Sequence, residues 1–416
     1  MLRLTTIITI AITVLFLRPA QAEDWGQFRG PNAQGISQDK NIPVKWSAET
    51  NLQWKLALPG GGFSSPIVVG DKVIVTCYSA AGDDLSKLKR HLLCITRSDG
   101  KIAWKKTIPS TATERQPPGF APRHGFASHT PVSDGKAIYV LFGNTGVIAF
   151  DMKGKEMWRK SVGTSSASMF GSAASPILYK KQLIVPAYSE GEVIKSFDKT
   201  SGKQLWKAEG DLGRSYVTPI IARNKQGTDE LVIGIPYEVW SLNPTTGKLK
   251  WYAETQVDTN ACPTIVVNGN IVYTIGGRSG GRAAIKLGGK GDVTKKNVVW
   301  SSNGGAYVSS PVVYKGHLYW FHERGILNCV DIKTGKLVKR QRLRGQFYAS
   351  AVLINGNLFG VSRFGGTYVV KATPELKQLA LNKLGDSSDF SGTPAVSDGQ
   401  LFLRSDKFLY CIRAKK

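Results

Sequence analysis

SFDKTSGKQLW, Ser196–Trp206, decides how the chain is read. Apolar residues lead into Asp198, the turn formers Thr200, Ser201 and Gly202 follow, then Lys203, and Trp206 closes the stretch. An Asp at the head of a turn caps backbone amides, and Gly takes the positive φ that such a turn needs. The stretch predicts two antiparallel strands joined by a tight turn, with the Trp folding back over the hairpin. The grammar returns in CITRSDGKIAW (Cys94–Trp104), AFDMKGKEMW (Ala149–Trp158), SLNPTTGKLKW (Ser241–Trp251) and CVDIKTGKLVK (Cys329–Lys339). Five hairpins of one grammar predict a repeat architecture.

A second signature sets the count. Before each hairpin stands Ser or Thr, then Pro, a short apolar run, a turn and another apolar run. It begins at SSPIVVGDKVIVTCY, Ser64–Tyr78, and recurs at Pro131, Pro176, Pro219, Pro263 and Pro311, at Ala351 in the Pro place, and at Pro394. That makes eight units with a mean spacing of about 47 residues. Four short strands in that length fit one propeller blade, and Pro is tolerated where a strand starts. The eighth unit ends without an outer strand, and IPVKWSAETNLQWKL, Ile42–Leu56, has no strands before it. The fold expected is all-β: an eight-bladed β-propeller of four-stranded antiparallel blades, closed by pairing of the N- and C-terminal segments. Residues 42–56 complete the last blade, and residues 23–416 form one domain.

The first 22 residues read as an export signal: Arg3, an apolar run Leu4–Leu17, and Ala20-Gln21-Ala22 as a small-x-small cleavage site. The run falls short of the roughly 20 apolar residues of a membrane span. Lys and Arg exceed Asp and Glu by 55 to 30, a net charge of +25. Such a surface attracts polyanions, and no nucleic-acid-binding motif accompanies it. Acidic envelope proteins, acidic polymers and peripheral contact with anionic membrane are the partners expected, for an exported monomer in the periplasm, outside the cell or in the cell envelope. Cys94, Cys329 and Cys411 sit in apolar runs as small core residues, Cys262 stands apart, and a Cys77–Cys94 disulfide across neighbouring strands is one open pairing.

The Ser/Thr-Pro units together with Asp-x-x-Thr-Gly-Lys-x-x-Trp hairpins resemble the PQQ-like repeat family of β-propellers, from Trp25 to Arg413. The hairpin is similar to the tryptophan-docking motif of quinoprotein dehydrogenases. On that likeness Trp104, Trp158, Trp206, Trp251 and Trp300 pack against the next blade, and Lys339 breaks the pattern in the sixth unit. The family holds both PQQ enzymes and non-catalytic scaffolds of the BamB kind. The opening WGQFRGPNAQGIS, Trp25–Ser37, resembles the start of exported propellers of the latter branch.

The enzyme branch implies PQQ with Ca²⁺, which demands several converging oxygen ligands. An adjacent Cys-Cys pair, an Asp-x-Asp near a strand end and a Cys-x-x-Cys-His haem motif are all missing from the sequence. So is a Gly-x-Ser-x-Gly nucleophile elbow, and no catalytic residue or metal site is assigned. GGKGDVT in the Gly-rich stretch Gly276–Trp300 is not a phosphate loop, because neither Ser nor Thr follows Gly-Lys. Upstream of the inner strands, however, most units place an aromatic: Phe63, Phe126, Phe170, Tyr216, Tyr307, Tyr348 and Phe390, with Asn260 in the fifth. Arg123, His124, His129, Arg214 and Arg344 share these loops, with Asp258, Asp386 and Asp389. Together they predict an aromatic, cationic rim around one channel mouth, able to grip a planar anion or a peptide carboxylate. His317, His322 and Glu323 flank one strand and are read as strand-end hydrogen bonders. The function expected is a non-catalytic envelope scaffold. PQQ-dependent oxidation and binding of anionic polysaccharide are the alternatives.

Overall fold

The computed structural model describes residues 24–80, 84–110, 126–165 and 170–415. The expected export signal lies outside the described residues. Among the described residues no helix is long and apolar enough to cross a membrane.

Eight sheets of four antiparallel strands stand around a central channel. Blade 1 comprises Ile67–Val69, Lys72–Ser79, Lys89–Thr96 and Ile102–Pro109, from the channel outward. The innermost strands of blades 2 to 8 begin at Val132, Ile177, Ile220, Val266, Val312, Val352 and Ala395. The last blade has only three strands from its own unit. Its outer strand is Leu52–Ala57, antiparallel to Phe408–Arg413, with Leu52 opposite Ile412 and Ala57 opposite Phe408. The ring thus closes by pairing the two ends of the chain.

Burial follows position in the blade. The second and third strands are buried on both faces, as in Gln182–Ala187, because each blade is sandwiched between two others. The outer strands alternate: in Gln204–Glu209 only Trp206 is buried.

The hairpin grammar is spent on the seams. Trp158 of blade 2 lies over the blade 3 turn, where its indole N–H donates to the Lys199 carbonyl at 3.1 Å. A Cβ on Gly202 would sit 2.7 Å from Trp158 Cδ2, and Gly202 has φ of 70°. Glycine is therefore required twice over, for space and for backbone. Trp54–Gly100, Trp104–Gly154, Trp206–Gly247 and Trp300–Gly335 repeat the pairing across four other seams.

Three seams differ. Trp251 meets no turn glycine; it packs with Leu287 and Val293 of the Gly-rich insertion and donates to Glu230 at 2.8 Å. Between blades 6 and 7, Lys339 stands in the Trp place, and Leu376 stands in the Gly place with φ of 55° and 1% exposure. Between blades 7 and 8, Ala380 stands in the Trp place, and Trp46 from the N-terminal segment packs there instead, stacked on Phe359.

The segment Trp25–Asp39 does something the sequence reading did not assign: it closes the end of the channel away from the loops Phe63–Ser65 and their equivalents. Trp25 pairs with Val68, the Ser133 amide donates to the Gly26 carbonyl, and Ala33 packs on Ile220 and Ala222. The Val267 amide donates to Gln34, Arg29 donates to the Pro311 carbonyl, and Ile36–Ser37 runs parallel to Leu353–Ile354. The segment therefore touches the inner strands of six blades and ties to the eighth through Asp39 and Gly399.

Two readings need correction. Pro263 is not in the Pro place of unit five: Thr264 takes the position of the Ser or Thr elsewhere, and Ile265 that of the Pro. The Cys77–Cys94 disulfide does not form, and all five cysteines are free thiols. Cys94 lies opposite Ile74, three residues from Cys77, so strand alternation sends the two thiols to opposite faces of the blade.

Candidate functional site

Where the innermost strands open, the Ser/Thr signature builds a ring. The Ser65 amide donates to Thr130 Oγ1 at 3.0 Å, Thr130 to Ser175 at 2.9 Å, and Ser175 to Thr218 at 3.0 Å. Thr264 donates to Ser310 at 2.9 Å, Ser310 to Ser350 at 3.1 Å, Ser350 to Thr393 at 3.0 Å, and Thr393 back to Ser65 at 3.0 Å. Seven of the eight hydroxyls thus accept an amide of the preceding blade, and at five of the seven donors the next residue is a Pro that has no amide to donate. Between blades 4 and 5, where the register slips, Tyr216 N donates to the Ala261 carbonyl at 2.7 Å.

All eight ring residues line a cavity of about 320 Å³ at the mouth. Phe63, Phe170, Tyr216, Tyr307 and Tyr348 form its walls, and Phe28 from the channel-closing segment also lines it. Ser128, Ser391, Cys262 and Arg278 complete the polar lining. Burial pushes the Cys262 thiol up to about 12, so it is a neutral wall group at physiological pH. Burial likewise raises the Tyr307 and Tyr348 phenols, and the Arg278 guanidinium pairs with Tyr307.

The remaining residues of the expected rim are elsewhere. Phe126 is buried against Tyr78 and Arg90, and Phe390 stacks on Tyr410. Asn260 is buried with φ of 65°, and Arg214 and Arg344 are exposed beyond the lining. Arg123 and His124 lie outside the described residues. His129 turns into the seam between blades 2 and 3, where its Nδ1 donates to the Ala174 carbonyl at 2.8 Å. Burial holds its pKa down at about 4, so the ring is neutral.

The carboxylates are committed as well. Asp258 accepts from Ser279, Asp389 from Arg363 and Ser391, and Asp386 from Ser388, Ser405 and Tyr410. Glu323 accepts the Tyr307 amide at 3.2 Å. His322 accepts the Arg324 amide on Nδ1, so it faces Glu323 at 3.4 Å as a neutral ring, and burial lowers its pKa. His317 contacts the Lys315 carbonyl at 3.0 Å. Among the described residues no three His, Cys, Asp or Glu side chains gather as a metal site.

Arg278, Cys262 and Phe28 are among the lining residues that sequence reasoning missed. Arg278 sits in the Gly-rich Gly276–Trp300 stretch, where the repeat grammar fails, and Phe28 belongs to no repeat. The ring hydroxyls are visible in the Ser/Thr-Pro signature, but spacing alone does not show that they bond from blade to blade.

The sequence model of the family described as outer membrane protein assembly factor BamB matches residues 89–341. A search of curated proteins finds no match. Among solved structures, BamB from Moraxella catarrhalis aligns with a TM-score of 0.63 at 15% identity, covering 88% of this chain and 97% of that one. A europium-containing methanol dehydrogenase aligns at 0.69 and 12% identity, covering 94% and 98%. The quinohemoprotein alcohol dehydrogenase of Comamonas testosteroni aligns at 0.65 and 12%, covering 95% and 81%. Such identities establish shared fold alone. With more than half its length matched by the family model, and with eight four-stranded blades, the chain belongs to the PQQ-like repeat propellers described by the outer membrane protein assembly factor BamB.

Proposed function

We propose that the chain is a non-catalytic recognition protein of the cell envelope, binding an acidic protein partner on the mouth face. The observation that carries this reading is the chemistry of the mouth lining among the described residues: hydroxyls, aromatics, one neutral thiol and one guanidinium, without a carboxylate. The dehydrogenases among the structural neighbours point to PQQ and a hard cation, and a hard cation needs several oxygen anions or carbonyls at one point. The donor set here does not fit that requirement. Asp258 and Asp389, which could have supplied it, stand on loops three blades apart and are held by Ser279 and Arg363.

Recognition suits what the same face exposes. Tyr237 and Phe364, each 55% exposed, project from turns between the second and third strands of blades 4 and 7, beside Arg344 and Arg214. Exposed aromatics with arginines are the residue types that anchor protein interfaces, and a net charge of +25 favours an acidic partner. Placement in the envelope rests on the export-type N-terminus and on the description of the matching family.

The test has two arms. Affinity capture from envelope extract should retain one partner with the wild type and lose it with the Tyr237→Ala/Phe364→Ala double variant. Titration with PQQ plus Ca²⁺, followed by cofactor absorbance, should show no saturation. Saturable cofactor binding together with alcohol-dependent reduction of an artificial electron acceptor would sink the recognition reading.

A further inference from the structure

The cavity at the mouth is more than a gap left by eight blades. Its far end is shut by the Trp25–Asp39 segment, whose Phe28 lines it, so it is a cup rather than a through-channel. Its volume of about 320 Å³ suits a ligand of one or two rings. The aromatic walls offer faces for stacking. Each ring hydroxyl that accepts an amide retains a proton to donate.

Among the described residues, Arg278 is the one charged side chain in the lining, and the carboxylates around the cup are committed: Glu323 to the Tyr307 amide, Asp258 to Ser279, and Asp389 to Arg363 and Ser391. A second cation lies beneath. Arg29, next to Phe28, is fully buried, donates only to the Ala33, Gln34 and Pro311 carbonyls, and has no acceptor on Nη1 among the described residues. A buried guanidinium without a carboxylate is costly, and its field in a poorly screened channel favours an anion in the cup above it. Burial drags the Arg29 pKa down to about 9, the mark of a cation short of its counter-charge.

We propose that the cup binds a small aromatic carboxylate directly, with the carboxylate on Arg278 and the hydroxyl ring, and with no metal ion bridging ligand and protein. This goes beyond recognition of a partner on the exposed rim, and the two can fail separately: the rim is probed by Tyr237 and Phe364, the cup by Arg278.

The experiment is calorimetric titration of the purified protein with 2-naphthoate and, in parallel, with uncharged 2-naphthamide, both in EDTA. Naphthoate should bind saturably at one site, with naphthamide at least about tenfold weaker, as a charge-assisted hydrogen bond requires. Arg278→Gln, a change at an exposed side chain, should weaken naphthoate at least about tenfold and leave naphthamide unmoved. Arg344→Gln, outside the lining, should change neither. Absence of naphthoate binding, equal affinity for acid and amide, or an unaltered Arg278→Gln variant would overturn the proposal. So would naphthoate binding that appears only when Ca²⁺ replaces EDTA.

Discussion

The seam between blades 2 and 3 and the seam between blades 6 and 7 solve one packing problem in opposite ways. At the first, a large residue on one blade, Trp158, lies over an empty position on the next, Gly202. At the second, the outer strand carries Lys339, and the next turn fills the space itself with Leu376. Leu376 accepts a left-handed backbone that costs a non-Gly residue about 1–2 kcal/mol. Burying its side chain among Tyr319, Cys329 and Ala372 returns about 2–3 kcal/mol, so burial wins narrowly. The lesson is that the motif is a property of two blades together, and losing one half makes the other half free to change.

The sharpest way to break the comparison is Trp158→Ala, which leaves Gly202 facing a cavity. Denaturant unfolding should show a loss of about 3–5 kcal/mol, and a loss below about 1 kcal/mol would mean that the indole does not hold the seam. At the other seam, Leu376→Gly should cost about 2–3 kcal/mol, the lost burial being partly offset by relief of the backbone. Adding Lys339→Trp to Leu376→Gly should then recover most of that loss, whereas Lys339→Trp alone meets an occupied site and gains nothing. An additive double variant would show that the two positions are independent.

The mouth end of the blade 2–3 seam carries a pH test. His129 is neutral in the fold, with its pKa held at about 4, while the unfolded chain takes up a proton near the ordinary 6.5. Between those values the unfolded state binds more protons, so this contribution is complete above pH 6.5 and is lost as pH falls towards 4. Wild type should lose about 2 kcal/mol more than His129→Gln between pH 7 and pH 5. Equal pH slopes would remove His129 from the seam's account. The smallest effect belongs to Lys339→Ala, an exposed change expected within about 0.5 kcal/mol of wild type.

The ring was legible because each hairpin states its own geometry: Asp198, Gly202 and Trp206 are local instructions for turn, space and overlap. The completed eighth blade was legible from imbalance, since one unit lacked a strand and Leu52–Ala57 lacked a sheet. The cup was not. Its floor comes from Phe28, far in sequence from every wall residue, and its cation sits in a stretch where the repeat grammar fails. Pro263 shows the limit of pattern alone. It imitates the expected residue one position out of register, and only the amide of Thr264 reaching Ser310 reveals where the strand begins. Of the seven aromatics in the mouth loops, Phe126 and Phe390 look in sequence like the five that line the cup, because spacing before a strand does not say which way a loop residue turns.

Closing the ring with Leu52–Ala57 against Phe408–Arg413 also sets an order of events. Leu52–Ala57, made early in synthesis, waits for the strand Phe408–Arg413, while the other seven blades have their four strands beforehand. Until the final residues emerge, the eighth blade keeps an unpaired edge, and loop entropy across most of the chain opposes the pairing. Closure is therefore the pairing of greatest sequence separation in the ring, the kind of contact that forms slowly and leaves a strand edge exposed until it does.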